Sequence, residues 1–577
     1  MMPRTGLSRI RRSLASLAVA TPLAMPVAIY AASDLPAVID ERQPTLSPPL
    51  REMFEQRRAR EVEVSLPEVA GRLSRDSLVA VSRIEILGGS IFELETLTAP
   101  IQPLVGEEVR LGRLIAAVEA ITRRYQEAGY PLSYAYLPSN NFRDGTVSVV
   151  IVEGYIARSE IAVDDAAVAA RVERLVARMR AERPLSRETF ERYTGLIERI
   201  PGVTLAVNAP VPRTPSGATT LRVEQRDRQR IDGGLTVEGG DEDEARLLAN
   251  LAFRSHTPYA ESLSFASLLP LETEDAFHAM EYRQALGSDG LRLILNAQRF
   301  EGEDASPHPR DEAIEVREDK VRDRFRFGVD YPLILGRERR WDLEATLEHL
   351  DETVDYAFVS DGQTALTARQ DVRYSTLELG SRFLTGSDHR RLEARAEVRH
   401  GLDLGGNRNV VSVGNASAVG DEELDFTRFA LQGRWLEALS PRWRLSMRLA
   451  GFWTDDDLPT AEHGNYGGNR FGRAYPDGQA EGERGYAGEL ELRYRHALDM
   501  AWLTRLEPYL AVDGAHTAFT EGDVEHDLGS AATGIEFRDE GRYRLGVEYA
   551  YPIGDRPEDD ESRRGRINAR LTWDFGG

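Results

Sequence analysis

From about Arg228 to the end of the chain, apolar and polar residues alternate every second position, and no stretch holds a helical period. Residues 290–300 set Leu291, Leu293, Leu295 and Ala297 against Arg292, Asn296 and Gln298; residues 389–399 set Leu392, Ala394, Ala396 and Val398 against Arg391, Glu393, Arg395, Glu397 and Arg399. Residues 441–451 and the final run through Ile567, Ala569, Leu571, Trp573 and Phe575 repeat the scheme. A period of two predicts strands with two unlike faces. A water-soluble sandwich would bury each apolar row against a second sheet. Here charges crowd the opposite faces almost throughout, and an apolar outer belt around a charged lumen accounts for both faces together. The alternation predicts a transmembrane β-barrel of about 16 antiparallel strands over residues 228–577. Short turns at Gly287-Ser288-Asp289-Gly290, Gly336-Arg337-Glu338, Gly386-Ser387-Asp388 and Asp539-Glu540-Gly541 take turns with long polar segments near 301–321, 352–368, 403–421 and 455–480. Those long segments are expected to be outer loops.

Upstream the period changes. Over 79–154, an alternating strand near Val81 to Ile86 leads to a helix with Leu114, Ile115, Val118, Ile121 and Tyr125 on one face, which Gly129 ends. Strands at 132–137 and 146–152 follow, joined by a turn through Asn140, Asn141, Asp144 and Gly145. Over 155–227 the order recurs: a strand, a helix at 165–182, a second helix opened by Pro184 and Ser186, and two strands. These units form a repeat of architecture. Residues 33–78, rich in proline and charge, read as a linker or plug with one helix-compatible stretch from Leu50 to Glu61.

Composition narrows the class. With 29% charged residues, 41% apolar residues and a mean hydropathy of −0.41, the chain cannot be a polytopic helical membrane protein. A net charge of −23 argues against nucleic acid as a partner. The sole lysine, Lys320, is followed by Val321, which excludes a P-loop, and the absence of cysteine excludes thiol chemistry and disulfides. Arg4, Arg9, Arg11 and Arg12 precede an apolar stretch from Leu14 to Ile29, interrupted by Pro22 and Pro26, so residues 1–32 read as a secretory signal peptide. No G-x-S-x-G or H-E-x-x-H occurs, and the ten histidines are scattered. No enzyme, cofactor or metal site is expected; the acidic runs Asp241 to Glu244 and Asp455 to Asp457 read as solvated loop.

Three segments carry a family resemblance. Ala135-Tyr136-Leu137-Pro138 through Val152-Glu153-Gly154-Tyr155-Ile156, with Ile197-Glu198-Arg199-Ile200-Pro201-Gly202-Val203, resembles the paired POTRA domains of two-partner secretion translocators. These are hemolysin-activator-type outer-membrane proteins within the BamA-like superfamily. The segment Gly467 to Tyr475 is similar to the family's Val-Arg-Gly-Tyr/Phe lid motif, with Gly472 and Ala474 standing where the family has valine and glycine. Pro508 to Asp513 is similar to the strand supplying the lid's aspartate.

The resemblance implies a lid motif of Gly472, Arg473, Ala474 and Tyr475, with Arg473 paired to Asp513 on the barrel wall. By parity Asp513, Tyr509 and Ala511 point inward while Leu510 and Val512 face lipid. Trp573 and Phe575 resemble the aromatic end by which barrels are recognised for insertion. On this reading 79–154 is POTRA 1, 155–227 is POTRA 2, and both face the periplasm. The partners implied are a secreted exoprotein with an N-terminal secretion domain, outer-membrane lipid and the barrel-assembly machinery, and the protein is expected to be a monomer in the bacterial outer membrane. Rival readings at this point are a factor that inserts other barrels, a passive porin, and an outer-membrane hydrolase.

Overall fold

The computed structural model describes residues 74–575, apart from 139–141, 143, 241–244, 271–274, 309–310, 361–362, 388, 421, 469–470, 521, 523, 540–541 and 558–562. The expected signal peptide, the Leu50–Glu61 helix, the Asn140-Asn141 turn, the Asp241–Glu244 run and the two C-terminal glycines lie outside the described residues.

Two small α+β units come first. In the first, strands Arg83–Leu87, Thr146–Val152 and Tyr134–Tyr136 form a sheet in that order, its first pair parallel and its second antiparallel. Helices α1 (Leu94–Thr98) and α2 (Leu111–Glu127) cover it, and Leu114, Val118, Ile121 and Tyr125 of α2 are buried against Val147, Val149 and Ile151. The sequence pattern missed α1, which has five residues, and the pairing of Leu78–Ala80 with Glu108–Arg110, because segments this short hold less than two turns of any period. In the second unit, strands Tyr155–Ala162, Ala218–Arg228 and Val203–Asn208 repeat the order and the parallel-then-antiparallel pairing beneath α3 (Ala166–Arg180) and α4 (Arg187–Glu198). Asp165 caps α3 by accepting from the Ala167 and Val168 amides at 2.8 and 3.2 Å, and Ser186 caps α4 through the Thr189 amide.

The second unit sits under the barrel. Arg192 of α4 donates to the Pro332 carbonyl at 2.9 Å and to the Tyr331 hydroxyl at 2.8 Å. Tyr193 donates to Asp289, and Arg178 of α3 to Ser288. Between this unit and the barrel mouth is a cavity of about 270 Å³ whose lining includes Arg171, Arg199, Asp232, Asn250 and Arg292.

Sixteen spanning strands then close a ring, each antiparallel to its neighbours. In order they begin with Ile231–Gly240, Arg246–Arg254, Ser262–Pro270 and Ala276–Ala285, followed by Arg292–His308, Asp311–Leu335, Arg339–Ser360 and Gln363–Gly386. The second half is Arg390–Leu402, Thr427–Ala438, Trp443–Trp453 and Arg484–Tyr494, then Leu503–Ala518, Glu525–Asp539, Tyr543–Pro552 and Arg566–Phe575. The sixteenth pairs with the first from Asn568↔Gly240 to Phe575↔Gly233, so the ring has no free edge. Trp573 and Phe575 lie on this seam with exposed rings.

Two of the expected outer loops are strands instead. The sixth, seventh and eighth strands run 25, 22 and 24 residues, against roughly 9 to 11 needed to cross a bilayer, so residues 311–321 and 352–360 extend the wall above the membrane as continuous ladders. The fifth strand takes residues 301–308 into the same extension. The cause is visible on the seventh strand. Trp341, Leu343 and Leu347 face lipid, but beyond His349 the same face carries Asp351 and Asp355, paired across to Arg373 and Arg369. The apolar row moves to the other face, where Val354, Tyr356 and Phe358 are buried with Val316 and Ala368. The apolar row changes face part-way along the strand, and this inversion of the alternation reads as a break although the pairing continues.

A loop across the lumen as the candidate functional site

Alternation along each strand loads the lumen with ion pairs. Arg448 donates to Glu489 at 2.8 Å, Arg493 to Glu491 at 2.8 Å and to Glu536 at 2.9 Å, and Arg570 to Glu238 at 2.8 Å. In each of these contacts an acid faces a base, which lets a crowded lumen hold charge.

Into this lumen folds the sixth outer loop, residues 454–483 between the eleventh and twelfth strands. Its short pairing of Gly464–Tyr466 with Ala480–Gly482 makes a hairpin whose far end is residues 471–475. Phe471 and Gly472 have φ of 66° and 105°. The second value suits glycine, and a Cβ there would stand 2.8 Å from Leu528 Cδ1, which is why glycine occupies the place the family gives to valine.

Arg473 is surrounded by four carboxylates. It donates to Glu489 at 2.7 Å, approaches Glu491 at 3.4 Å and Asp513 at 3.8 Å, and bonds Glu548. Asp513 is therefore near the arginine, as expected, but its shorter bond is to the Gly472 backbone amide. The closest partners of Arg473 are Glu489 on the twelfth strand and Glu548 on the fifteenth. Sequence reasoning missed both, because inward glutamates recur on most strands and nothing local marks these two. Tyr509 holds Glu548 by its hydroxyl at 2.9 Å.

The neighbouring residues are fixed as firmly. The Ala474 amide donates to Ser530 Oγ at 3.1 Å, and its side chain is fully buried. Tyr475 places its hydroxyl between the Gly529 and Asp555 carbonyls, both at 3.1 Å. Asn568 on the sixteenth strand donates to the Arg473 carbonyl at 3.0 Å. The four motif residues and Asp513 are thus together against one wall. Asp455 and Asp456, from the acidic run, are occupied by Arg484 and by the Thr427 amide.

Residues 79–154 match the POTRA domain of ShlB type, and residues 352–537 match the haemolysin secretion/activation protein family ShlB/FhaC/HecB. The second match spans the loop and Asp513. Both matches are to two-partner secretion families, in agreement with the resemblance of the sequence motifs. Its fold is shared with CdiB from Escherichia coli, at 13% identity and a TM-score of 0.68 over 91% of this chain and 96% of that one. CdiB from Acinetobacter baumannii matches at 12% identity and a TM-score of 0.59 over 91% and 97%. A search of curated proteins finds no match. The protein is an outer-membrane barrel with its POTRA region in the periplasm, and the matched family implies a secreted exoprotein partner. The match of residues 352–537 favours secretion over the assembly-factor and porin readings.

Proposed function

We propose that the loop 454–483 is the gate of this translocator and that Arg473 is its releasable latch. The observation carrying the proposal is that a guanidinium is held by Glu489, Glu491, Asp513 and Glu548 in a hydrated lumen, where charged hydrogen bonds are worth on the order of 1.5 to 3 kcal/mol and exchange readily. An apolar plug of that size would give no such reversible hold. Asp513 acts by fixing the turn at Gly472 as much as by charge.

The second unit, 155–227, serves as a second POTRA domain that hands an unfolded client to the mouth. The client is an exoprotein recognised through an N-terminal secretion domain, and its extended backbone adds to an exposed sheet edge. Arg83–Leu87 suits this role, because it lies at an outer edge of its sheet with a strand partner on one side among the described residues. Trp573 and Phe575 serve as the signal read by the barrel-assembly machinery, and the protein works as a monomer in the outer-membrane lipid.

The test is deletion of the gene, then mass spectrometry of the culture medium. Loss of one large polypeptide, restored by the intact gene and reduced with Arg473→Ala, is expected; an unchanged profile overturns the proposal.

A further inference from the structure

The loop has a second attachment, on the other side of the lumen. Before its hairpin the chain makes a short 3-10 turn, Thr460–Glu462, that brings the Glu462 carboxylate to zero exposure. There it accepts from Arg399 Nη1 at 3.0 Å and from the Tyr374 hydroxyl at 3.0 Å. Arg399 is itself fixed by Glu348 at 3.0 Å and by Glu378. Leu458, fully buried, packs with Leu350, Val372, Tyr374 and Phe426. Apart from Phe426, which directly precedes the tenth strand, these wall residues belong to the seventh, eighth and ninth strands, whereas Arg473 is held by the twelfth, thirteenth, fifteenth and sixteenth. In a ring of sixteen the eighth and sixteenth strands stand half a turn apart. The loop is a strap bolted to facing walls.

We propose that Glu462 and Arg399 are positioning residues for the gate: they form a counter-latch that keeps the strap across the lumen when Arg473 lets go. The proposal rests on the gating reading above. Its physical basis is that a loop tethered at one end of its crossing can swing, while one tethered at both cannot leave the pore axis. Release at one wall therefore opens the pore partially, and release at both opens it fully. Each attachment joins an apolar cluster to its ion pairs: Phe471, Ala474 and Tyr475 pack with Leu528 and Ala532 beside Arg473, and Leu458 packs with Leu350 and Val372 beside Glu462, so neither end is held by charge alone.

Two measurements on the full-length protein test the idea, and neither needs a client. The first is single-channel conductance in planar bilayers for Glu462→Gln, Arg473→Ala and the double variant. Each single change is expected to raise open probability modestly, and the double to raise it well beyond their product. The second uses the absence of native cysteine. With Ala461→Cys as reporter, a bulky maleimide added from outside should label the Glu462→Gln protein on the order of tenfold faster than the parent. A control Ala532→Cys, beside the Arg473 anchor, should stay protected in both. Labelling that rises equally at both positions indicates general loosening and overturns the counter-latch, as does an unchanged rate at 461. Should Glu462→Gln fail to fold, Tyr374→Phe removes one of the two bonds to the same carboxylate and must move labelling at 461 in the same direction, or the proposal falls. A protein that passes these tests yet exports nothing would refute the secretion proposal alone.

Discussion

The second N-terminal unit and the barrel wall are built from similar side chains turned opposite ways. In the unit, Val172, Leu175 and Val176 of α3 are fully buried, and charges face water. In the wall, Leu431 and Leu510 are 61% and 62% exposed, while Glu348 and Asp330 are 1% exposed. The wall is built for lipid outside and for ions inside. Its specificity lies in paired charges, whereas the unit's lies in close packing.

That contrast can be broken by matched substitutions, read with two separable probes. All six tryptophans lie in the barrel, at 341, 435, 443, 453, 502 and 573, while the long helices α2, α3 and α4 lie in the N-terminal units. The largest expected effect is Leu175→Ala, which should destabilise the second unit by about 2 to 5 kcal/mol, read by helical circular dichroism in urea. Leu510→Ala, the same chemistry on the lipid face, should leave tryptophan fluorescence transitions nearly unmoved; an equal loss would erase the distinction. Next comes Val512→Arg, expected to cost the barrel about 2 to 4 kcal/mol in the fluorescence transition because the charge meets lipid. Asp165→Ala should cost the unit about 1 to 2 kcal/mol, since the cap of α3 and the pairs to Arg228 and Arg230 go together.

The smallest effect is on pH response. Burial pushes the Glu153 carboxyl up, but the Ser90 hydroxyl and amide, the Tyr125 hydroxyl and the Ile91 amide outweigh it, so the group lies below its usual range. The same contacts push the Tyr125 phenol up, burial first and Glu153 after it. A depressed carboxyl stabilises the first unit above its ordinary pKa of about 4.3, and the contribution is lost as pH falls through the folded-state value. Acid unfolding of the helices should therefore begin earlier and slope less in Glu153→Gln; an identical acid limb would contradict the cause assigned.

The barrel was legible in the sequence wherever one face met lipid and the other the lumen, as at Leu392 to Val398 and Ile567 to Phe575. It became illegible at Asp351 and Asp355, where the outer face leaves the membrane and turns polar while the strand continues. Arg473 and Asp513 were reached through a motif. Glu489 and Glu548 were not, because a cage assembled from strands up to 75 residues away leaves no local trace. Glu462 looked like one more acid in a polar loop, since only folding brings it to Arg399.

On the proposed function, a client chain travels through the lumen and never along the outside of the wall. Leu295 and Asn296 are neighbours on the fifth strand with opposite exposure, the first 39% exposed toward lipid and the second buried inside. A photo-crosslinking amino acid placed at each position in living cells decides the matter. An adduct with one large exported polypeptide is expected from position 296 and none from 295. Equal adducts from both, or an adduct from 295 alone, would contradict it.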